Sequence, residues 1–414
     1  MRSIVLILIM CFTYYSHAAI SFNDLYLKSL SNNELIKSKK AELNNAKINK
    51  SMAWSSLAPT VSANYVHTKQ QIPDSVKASG LSIREDQITS ALNVQQPLFQ
   101  GGGEYYGLKA ASVDINRAQS ELEEQKRQIY IQLTELFYNY LALVSDNKNN
   151  EKLINSVARR VNELKQRARV GRSNPADLLS AQAQLSQLKA NLNLSQAQAE
   201  NLKHSLYEIT GEEITGQLID KLNTPKQLPS LGVWMEKLQQ RSDIVTQKQI
   251  LKISELQKNI TQTQHMPKLS VDGIYYFERT GNFFESDWSV SLNLTLPIFE
   301  GGQTYFESKK NTQQILIQKL NLTNLSRRSE IQLKNQFKLT QALFEQVKQY
   351  KSTLEISQKA YNQQMRDYRS GLISYLEASQ AERDYFEILK TADRQEYELK
   401  KQWLKLKAQA GDLK

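Results

Sequence analysis

The chain has 414 residues, of which 40% are hydrophobic and 23% are charged, and its formal net charge is +11. Cys11 is its one cysteine and the four histidines are scattered, so the composition offers neither a disulfide framework nor metal-ligand spacing. Lysine and arginine are spread beside glutamate and glutamine along helix-like segments. This favours a solvated helical surface over a nucleic-acid interface.

Residues 1–18 are predicted to be a secretory signal. Arg2 gives a basic start, residues 4–12 form an apolar core, and residues 16–18 end in a small-residue cleavage site. An uncleaved apolar terminus and a lipidated Cys11 are the alternatives, although a methionine precedes that cysteine and fits a lipidation site poorly. No later stretch is long and apolar enough for a membrane helix, so any membrane passage would require a β-barrel.

The first structural repeat is predicted to cover residues 19–209. A polar helical pattern runs to Pro59, and strand-like alternation then gives a hairpin at about 60–97. A stretch of 67 residues without proline follows, from 103 to 169, with apolar residues at the spacing of a coiled coil. The same spacing resumes after Gly171, which predicts a long antiparallel helical hairpin that turns at 170–176.

Residues 210–232 are rich in glycine and proline and are predicted to connect the two repeats while lying against the helical body. The second repeat is predicted to cover residues 233–414. Its strand hairpin falls at about 269–297, and its helical hairpin turns at about 370–375.

Residues 288–296 alternate apolar and polar residues without a break, which is the period of a β-strand with one polar face. Their length suits a membrane barrel strand, while a soluble sheet with one wet face is the alternative. Two hairpins supply four strands, and small closed barrels need about eight. The pattern therefore predicts an oligomer that shares one barrel, with two, three or four chains left open.

A motif marks the end of each strand hairpin. Pro-Leu-Phe-Gln-Gly-Gly at 97–102 returns as Pro-Ile-Phe-Glu-Gly-Gly at 297–302. Proline is expected to end the ladder, because it lacks an N–H, and the glycines allow the backbone to turn into the helix. The predicted junction residues are Pro97, Phe99, Gly101, Gly102, Pro297, Phe299, Gly301 and Gly302.

The doubled order of helix, strand hairpin, motif, long helix, turn and helix resembles the TolC-like outer-membrane efflux proteins, the outer membrane factors of tripartite pumps. The resemblance covers most of residues 20–410. It implies a mixed α+β membrane protein in which three chains form one outer-membrane β-barrel, continued by an α-barrel in the periplasm. The implied location is the outer membrane, with outer-membrane lipid around the barrel.

The family resemblance also implies that the helical tips contact a periplasmic adaptor, or membrane fusion protein. The tip residues would be Val170, Gly171, Arg172, Ser370, Gly371 and Leu372. The alternative is that each glycine merely caps a helix.

Carboxylates near the tips would form a cation-favouring gate in the family, which points to Asp177, Glu377 and, at a position where the family has a second acid, Gln380. The alternative is that acids stabilise the first turn of a helix.

The predicted function is a passive duct for small molecules, driven by an inner-membrane pump of the RND, ABC or MFS type. A duct for type I protein secretion and a periplasmic coiled-coil scaffold without a pore are the alternatives. No nucleophile–base motif and no phosphate-binding loop is present, so neither catalysis nor a cofactor is expected.

Overall fold

The computed structural model describes residues 19–413 except 74–83, 172–173, 226 and 281–285. The predicted signal at 1–18 and the predicted tip residue Arg172 therefore lie outside the described residues. The first half of the chain forms α1 (Phe22–Asn32), α2 (Glu34–Ser55), β1 (Thr60–Lys69), β2 (Asp86–Gln100), α3 (Gly103–Arg169) and α4 (Pro175–Thr210).

The second half repeats this order of two helices, two strands and two helices, with a shorter first helix. It forms α5 (Leu231–Leu238), α6 (Ser242–Gln262), β3 (Lys268–Arg279), β4 (Trp288–Thr295), α7 (Gln303–Arg369) and α8 (Tyr375–Ala410). The outgoing helices α3 and α7 each have 67 residues, and the returning helices α4 and α8 each have 36. Among the helices of the described residues, none combines the length and hydrophobicity needed to cross a membrane.

The chain divides into two compact units that do not coincide with the two sequence repeats. The first unit, which contains the helical tips, takes the described residues up to 37 together with 125–241 and 329–413. The second unit takes residues 38–124 and 242–328 and contains the strands. Each unit therefore combines segments of both repeats. The long helices α3 and α7 each supply residues to both units.

The strands form one antiparallel sheet in the order β1-β2-β3-β4. The two hairpins of the two repeats join through β2 and β3, where Val94 pairs with Gly273. Strands β1 and β4 are the edges, and within the described residues each has a partner on one side only. Both edges thus present a row of backbone donors and acceptors that a further strand can use.

The core of the first unit lies along α3. Ile129, Leu133 and Phe137 follow one another at four-residue spacing, which places them on one face of the helix, and all three are buried. The ring of Phe22 from α1 packs edge-on against Phe137 and Tyr130, with ring centroids 5.7 and 5.1 Å apart. Burying such side chains contributes about 1.5–3 kcal/mol each.

The connector between the repeats lies against this helical body. Ile20 and Leu218 form a short parallel bridge, with the Ile20 N–H donating to the Gln217 carbonyl at 2.9 Å. Asp220 accepts a hydrogen bond from the Tyr138 hydroxyl at 3.3 Å and pairs with the Lys400 ammonium at 2.6 Å. The connector is therefore fastened to both α3 and α8.

A seam of polar contacts joins α3 of the first repeat to α8 of the second. Positions descend along α3 as they ascend along α8, which is the register of an antiparallel pair. The contacts are Arg160–Glu382, Asn149–Asp393, Asp146–Arg394, Asn139–Lys401 and Glu135–Lys405. The apolar spacing in the sequence predicted only the pairing of each long helix with the returning helix of its own repeat.

Candidate functional site

The helical tips belong to the first unit, and each is built by a glycine. Gly171 and Gly371 have φ of 71° and 75°, and open space surrounds the position that a Cβ would occupy. The Gly171 N–H donates to the Ala168 carbonyl at 3.1 Å, and the Gly371 N–H to the Tyr368 carbonyl at 3.1 Å. Each glycine thus ends its helix through the positive φ that it alone adopts easily.

Apolar side chains are presented to solvent beside these glycines. Val170 is 69% exposed and Leu372 is 75% exposed, and Ser370 is also exposed. Directly behind them lies a packed cluster that holds the tip in place, formed by Leu153, Val157, Val161, Leu164, Ala181, Tyr368, Tyr375, Ala378 and Phe386. The tip is therefore an exposed apolar surface next to a packed cluster, and its contact with an adaptor stays a prediction.

Of the predicted gate residues, Asp177 and Glu377 lie in the first turns of the returning helices, and Gln380 lies in the second turn of α8. Asp177 is half-buried on α4, whose first turn is capped by Asn174: the Ala176 N–H donates to the Asn174 side-chain oxygen at 3.0 Å. Gln380 is exposed and donates to Asp384 at 2.7 Å. In the part of the chain that the structure describes, neither Asp177 nor Glu377 pairs with Arg169 or Arg369 of the same chain.

Glu377 forms a capping box with Ser374. Its carboxylate accepts hydrogen bonds from the Ser374 N–H and hydroxyl, both at 2.7 Å, and its own N–H donates back to that hydroxyl at 3.3 Å. These bonds to the charged form hold the pKa of Glu377 below its ordinary value. Glu377 is therefore a helix cap whatever else it does, and its charge remains at the exposed surface.

The strand–helix junctions belong to the second unit, and they differ between the repeats. The ladder was expected to end at Pro97, but Pro97 pairs with Ser270 and β2 continues to Gln100, so that expectation is wrong. The reason is that β1 pairs with β2 only as far as Gln95. Beyond that point β2 has one neighbour, and its register with β3 shifts between Pro97 and Phe99, an irregularity at which a residue without an N–H is tolerated. In the second repeat β4 ends at Thr295, before Pro297.

The junction glycines all have positive φ but different surroundings. A Cβ on Gly101 would lie 2.6 Å from the Thr263 carbonyl oxygen and 2.9 Å from the Met266 Cβ, whereas around Gly301 nothing lies within 4 Å. Gly102 and Gly302 have φ of 84° and 80°. The aromatic residues of the motif, Phe99 and Phe299, are both exposed. The first junction is therefore closed against the end of α6, and the second is open.

Comparison with known proteins agrees with this architecture. The family model described as outer membrane efflux protein matches residues 25–212 and 234–412, which is most of the chain and both repeats. The chain belongs to this family. The family membership confirms the predicted resemblance and the predicted location at the outer membrane, with the helical body in the periplasm.

Three known proteins that the chain matches are distant from it in sequence. The outer membrane protein TolC of Vibrio cholerae is 23% identical over 242 residues, a match that spans 55% of this chain and only 55% of that protein. The CmeC outer membrane channel of Campylobacter jejuni has a TM-score of 0.81 at 17% identity, covering 94% of this chain and 85% of its own. VceC of Vibrio cholerae has a TM-score of 0.80 at 16% identity, covering 94% and 96%. These likenesses confirm the predicted fold class of the chain, in which β-hairpins and long helical hairpins repeat.

One feature of this efflux-family chain escaped the sequence analysis, a buried ion pair behind the tips. The Arg160 guanidinium lies 3.0 Å from Glu382, and their side chains are 4% and 0% exposed. The hydroxyls of Ser156 and Tyr361 also donate to Glu382. A signal was present in the sequence, since each charge stands in the apolar stripe of its helix: Arg160 between Val157 and Leu164, and Glu382 between Ala378 and Phe386.

Proposed function

We propose that the chain is the outer-membrane channel of a tripartite export system. It is a passive duct that carries small molecules from the periplasm to the exterior, and an inner-membrane pump supplies the energy through a periplasmic adaptor. The exposed apolar face of the sheet supports this proposal most strongly. Trp288, Val290, Leu292 and Leu294 of β4 are each between 64% and 70% exposed. Leaving such side chains in water costs about 1.5–3 kcal/mol each, so lipid is their favourable surrounding.

Aromatic residues lie on that face near the ends where the two hairpins turn. Tyr275 pairs directly with Trp288 across β3 and β4, and Phe277 lies two residues further along the same face. Tyr65 of β1 shares this face through the register of β1 with β2. All four side chains are exposed. Aromatic rings in such a band favour the boundary between lipid and water, which is typical of membrane barrels.

The opposite face of the sheet is polar and suits a water-filled lumen. Ser270 pairs with Asn293, and Asp272 pairs with Ser291 on one side and with Gln95 on the other. A wall with one lipid face and one wet face argues against the alternative of a scaffold without a pore, which has no use for exposed apolar strands.

The open edges of the sheet favour a homo-oligomer. In the described residues β1 and β4 lack partners on their outer sides, and four strands are too few to close around a lumen. A ring of two, three or four copies would satisfy all edges, with β4 of one chain pairing with β1 of the next. Because the family resemblance implies three chains, which would supply twelve strands, we propose a homotrimer.

Conductance across a planar lipid bilayer tests the proposed function. The purified full-length protein should insert and give reproducible conductance steps, because a closed ring of strands encloses an aqueous path. A heat-denatured sample of the same preparation is the control. A protein that remains a water-soluble monomer and conducts at no applied voltage would contradict the proposal.

The predicted gate role of Glu377 is tested by Glu377→Gln, because glutamine keeps the capping geometry and removes only the charge. We expect a reduced preference for cations over anions in bilayers, since each copy would lose one acid near the entrance. The pKa of Glu377 is lower in the folded protein than its unfolded-state pKa of 4.5. The charged carboxylate therefore stabilises the fold at pH values above 4.5, and this stabilisation is lost as the pH falls through the lower folded-state pKa. Ion selectivity of the unaltered protein and of Glu377→Gln is therefore measured at pH 7 and at pH 5, because the Glu377 carboxylate is charged at both.

Ser374→Ala is the matched control for that experiment, because it removes the cap and keeps the charge. If Glu377→Gln leaves ion selectivity unchanged, Glu377 acts only as a helix cap and the gate assignment fails.

A further inference from the structure

The ends of α3 and α7 are rich in arginine and enclose a cleft in the first unit. Two adjoining cavities of about 400 and 530 Å³ share Glu163 and Arg369 in their linings. We define the arginine cleft by its charged residues, which are Arg159, Arg160, Glu163, Arg167, Arg366 and Arg369. We propose that this cleft binds carboxylate side chains on an acidic helical tip of the periplasmic adaptor. The proposal relies on the proposed function only in naming the adaptor as the partner.

The positive charge of the arginine cleft is largely unneutralised. Arg160 is paired with Glu382, whereas Arg366 donates to the neutral Gln363. Arg167 lies over the ring of Tyr368, 5.5 Å from its centroid. In the described part of the chain, Arg159 and Arg369 have no carboxylate partner. Four guanidinium groups without an acid therefore surround the single carboxylate of Glu163.

Helix stabilisation explains only part of this arrangement. Cations in the last turn of a helix are favoured by the negative end of its dipole, and this accounts for Arg167, Arg366 and Arg369. The dipole effect fades within one turn, but Arg159 lies ten residues before the end of α3. The helix dipole therefore does not account for Arg159, whose exposed guanidinium is available to an anionic partner.

The chemistry of the cleft favours a carboxylate on a protein. Guanidinium groups bind carboxylates through two parallel hydrogen bonds, which gives orientation as well as attraction. The exposed apolar side chains of Val170 and Leu372 belong to the same tip region. A surface that combines exposed apolar groups with arginine has the composition of a protein–protein interface.

A helical peptide rich in glutamate is a direct probe. Its binding to the detergent-solubilised full-length protein is measured by fluorescence anisotropy, beside a peptide in which every glutamate is glutamine. We expect the glutamate peptide to bind about tenfold more tightly and to weaken as salt is added. The double substitution Arg159→Gln with Arg369→Gln should weaken its binding about tenfold. The matched control Lys359→Gln removes an exposed charge from α7 outside the cleft and should change binding less than about twofold.

Three results would overturn the arginine cleft as a carboxylate site. The first is equal affinity for the two peptides, and the second is an equal loss in the Lys359→Gln control. The third is that the double variant Arg159→Gln with Arg369→Gln loses binding to phosphatidylglycerol vesicles but keeps its binding to the glutamate peptide. That result would make the cleft a lipid site. Circular dichroism of each variant verifies that the helices are intact.

Conductance of the unaltered protein is measured in parallel to separate this inference from the proposed function. A protein that conducts but does not distinguish the peptides overturns only the arginine cleft. A protein that prefers the glutamate peptide but never conducts overturns only the channel.

Discussion

Replacing Glu382 with alanine should lower the free energy of unfolding of the helical body by about 3–5 kcal/mol. The carboxylate is fully buried and accepts from Ser156 and Tyr361 while it pairs with Arg160. Removal of the carboxylate leaves the Arg160 guanidinium buried without a counter-charge, and the desolvation of that charge is then uncompensated. Denaturant unfolding followed by circular dichroism in detergent measures the loss.

The matched control for Glu382→Ala is an exposed ion pair of the same unit. Lys351 and Glu396 join α7 to α8 at 3.0 Å, but their side chains are 61% and 40% exposed. Lys351→Ala should therefore cost no more than about 1 kcal/mol, because water screens the pair. Replacing Arg160 and Glu382 together with leucine should recover much of the loss of the single variant. Equal effects of Glu382→Ala and Lys351→Ala would show that the Arg160 pair is solvated.

Gly101→Ala should destabilise the strand-bearing unit by about 2–5 kcal/mol. Alanine at the observed φ of 74° costs about 1–2 kcal/mol by itself. Its Cβ would also lie 2.6 Å from the Thr263 carbonyl oxygen, a backbone atom that cannot rotate away. The readout is thermal unfolding, together with the amount of heat-resistant oligomer recovered from the outer membrane.

The second repeat provides the control for the first. Gly301 has φ of 64°, and no atom lies within 4 Å of the position of an added Cβ. Gly301→Ala should therefore show only the conformational cost of about 1–2 kcal/mol. An equal loss of stability in the two alanine variants would mean that the segment from Thr263 to Met266 moves aside. Close packing would then not explain the glycine at position 101.

Much of this fold follows from the sequence because its signals are local. The first long helix was predicted from a stretch without proline between two glycines, and α3 is observed over the predicted residues, Gly103–Arg169. Strand β4 was predicted from strict alternation, which needs no knowledge of its neighbours. The bend of α7 into α8 was predicted from Gly371, whose positive φ the structure shows.

The sequence does not determine which helices and strands pack against each other. An apolar stripe shows that α3 packs on something, but it does not distinguish α4 of the same repeat from α8 of the other. The continuation of β2 past Pro97 depends on where β1 stops, which is a property of the sheet and not of the proline. The roles of the tip and gate residues depend on other molecules, so they remain predictions, although the Ser374–Glu377 spacing of a capping box was readable in the sequence.

The seam between α3 and α8 sets a time order for the maturation of the chain. Its contacts join residues that are separated by 222 to 270 positions, for example Arg160 to Glu382 and Glu135 to Lys405. Until α8 has been exported, Asp146 and Arg160 lack their ion-pair partners Arg394 and Glu382, and the packing of the first unit is incomplete. Such long-range contacts slow folding and prolong the life of incomplete, aggregation-prone states. The newly exported chain therefore depends on protection for as long as its final forty or so residues are still to come.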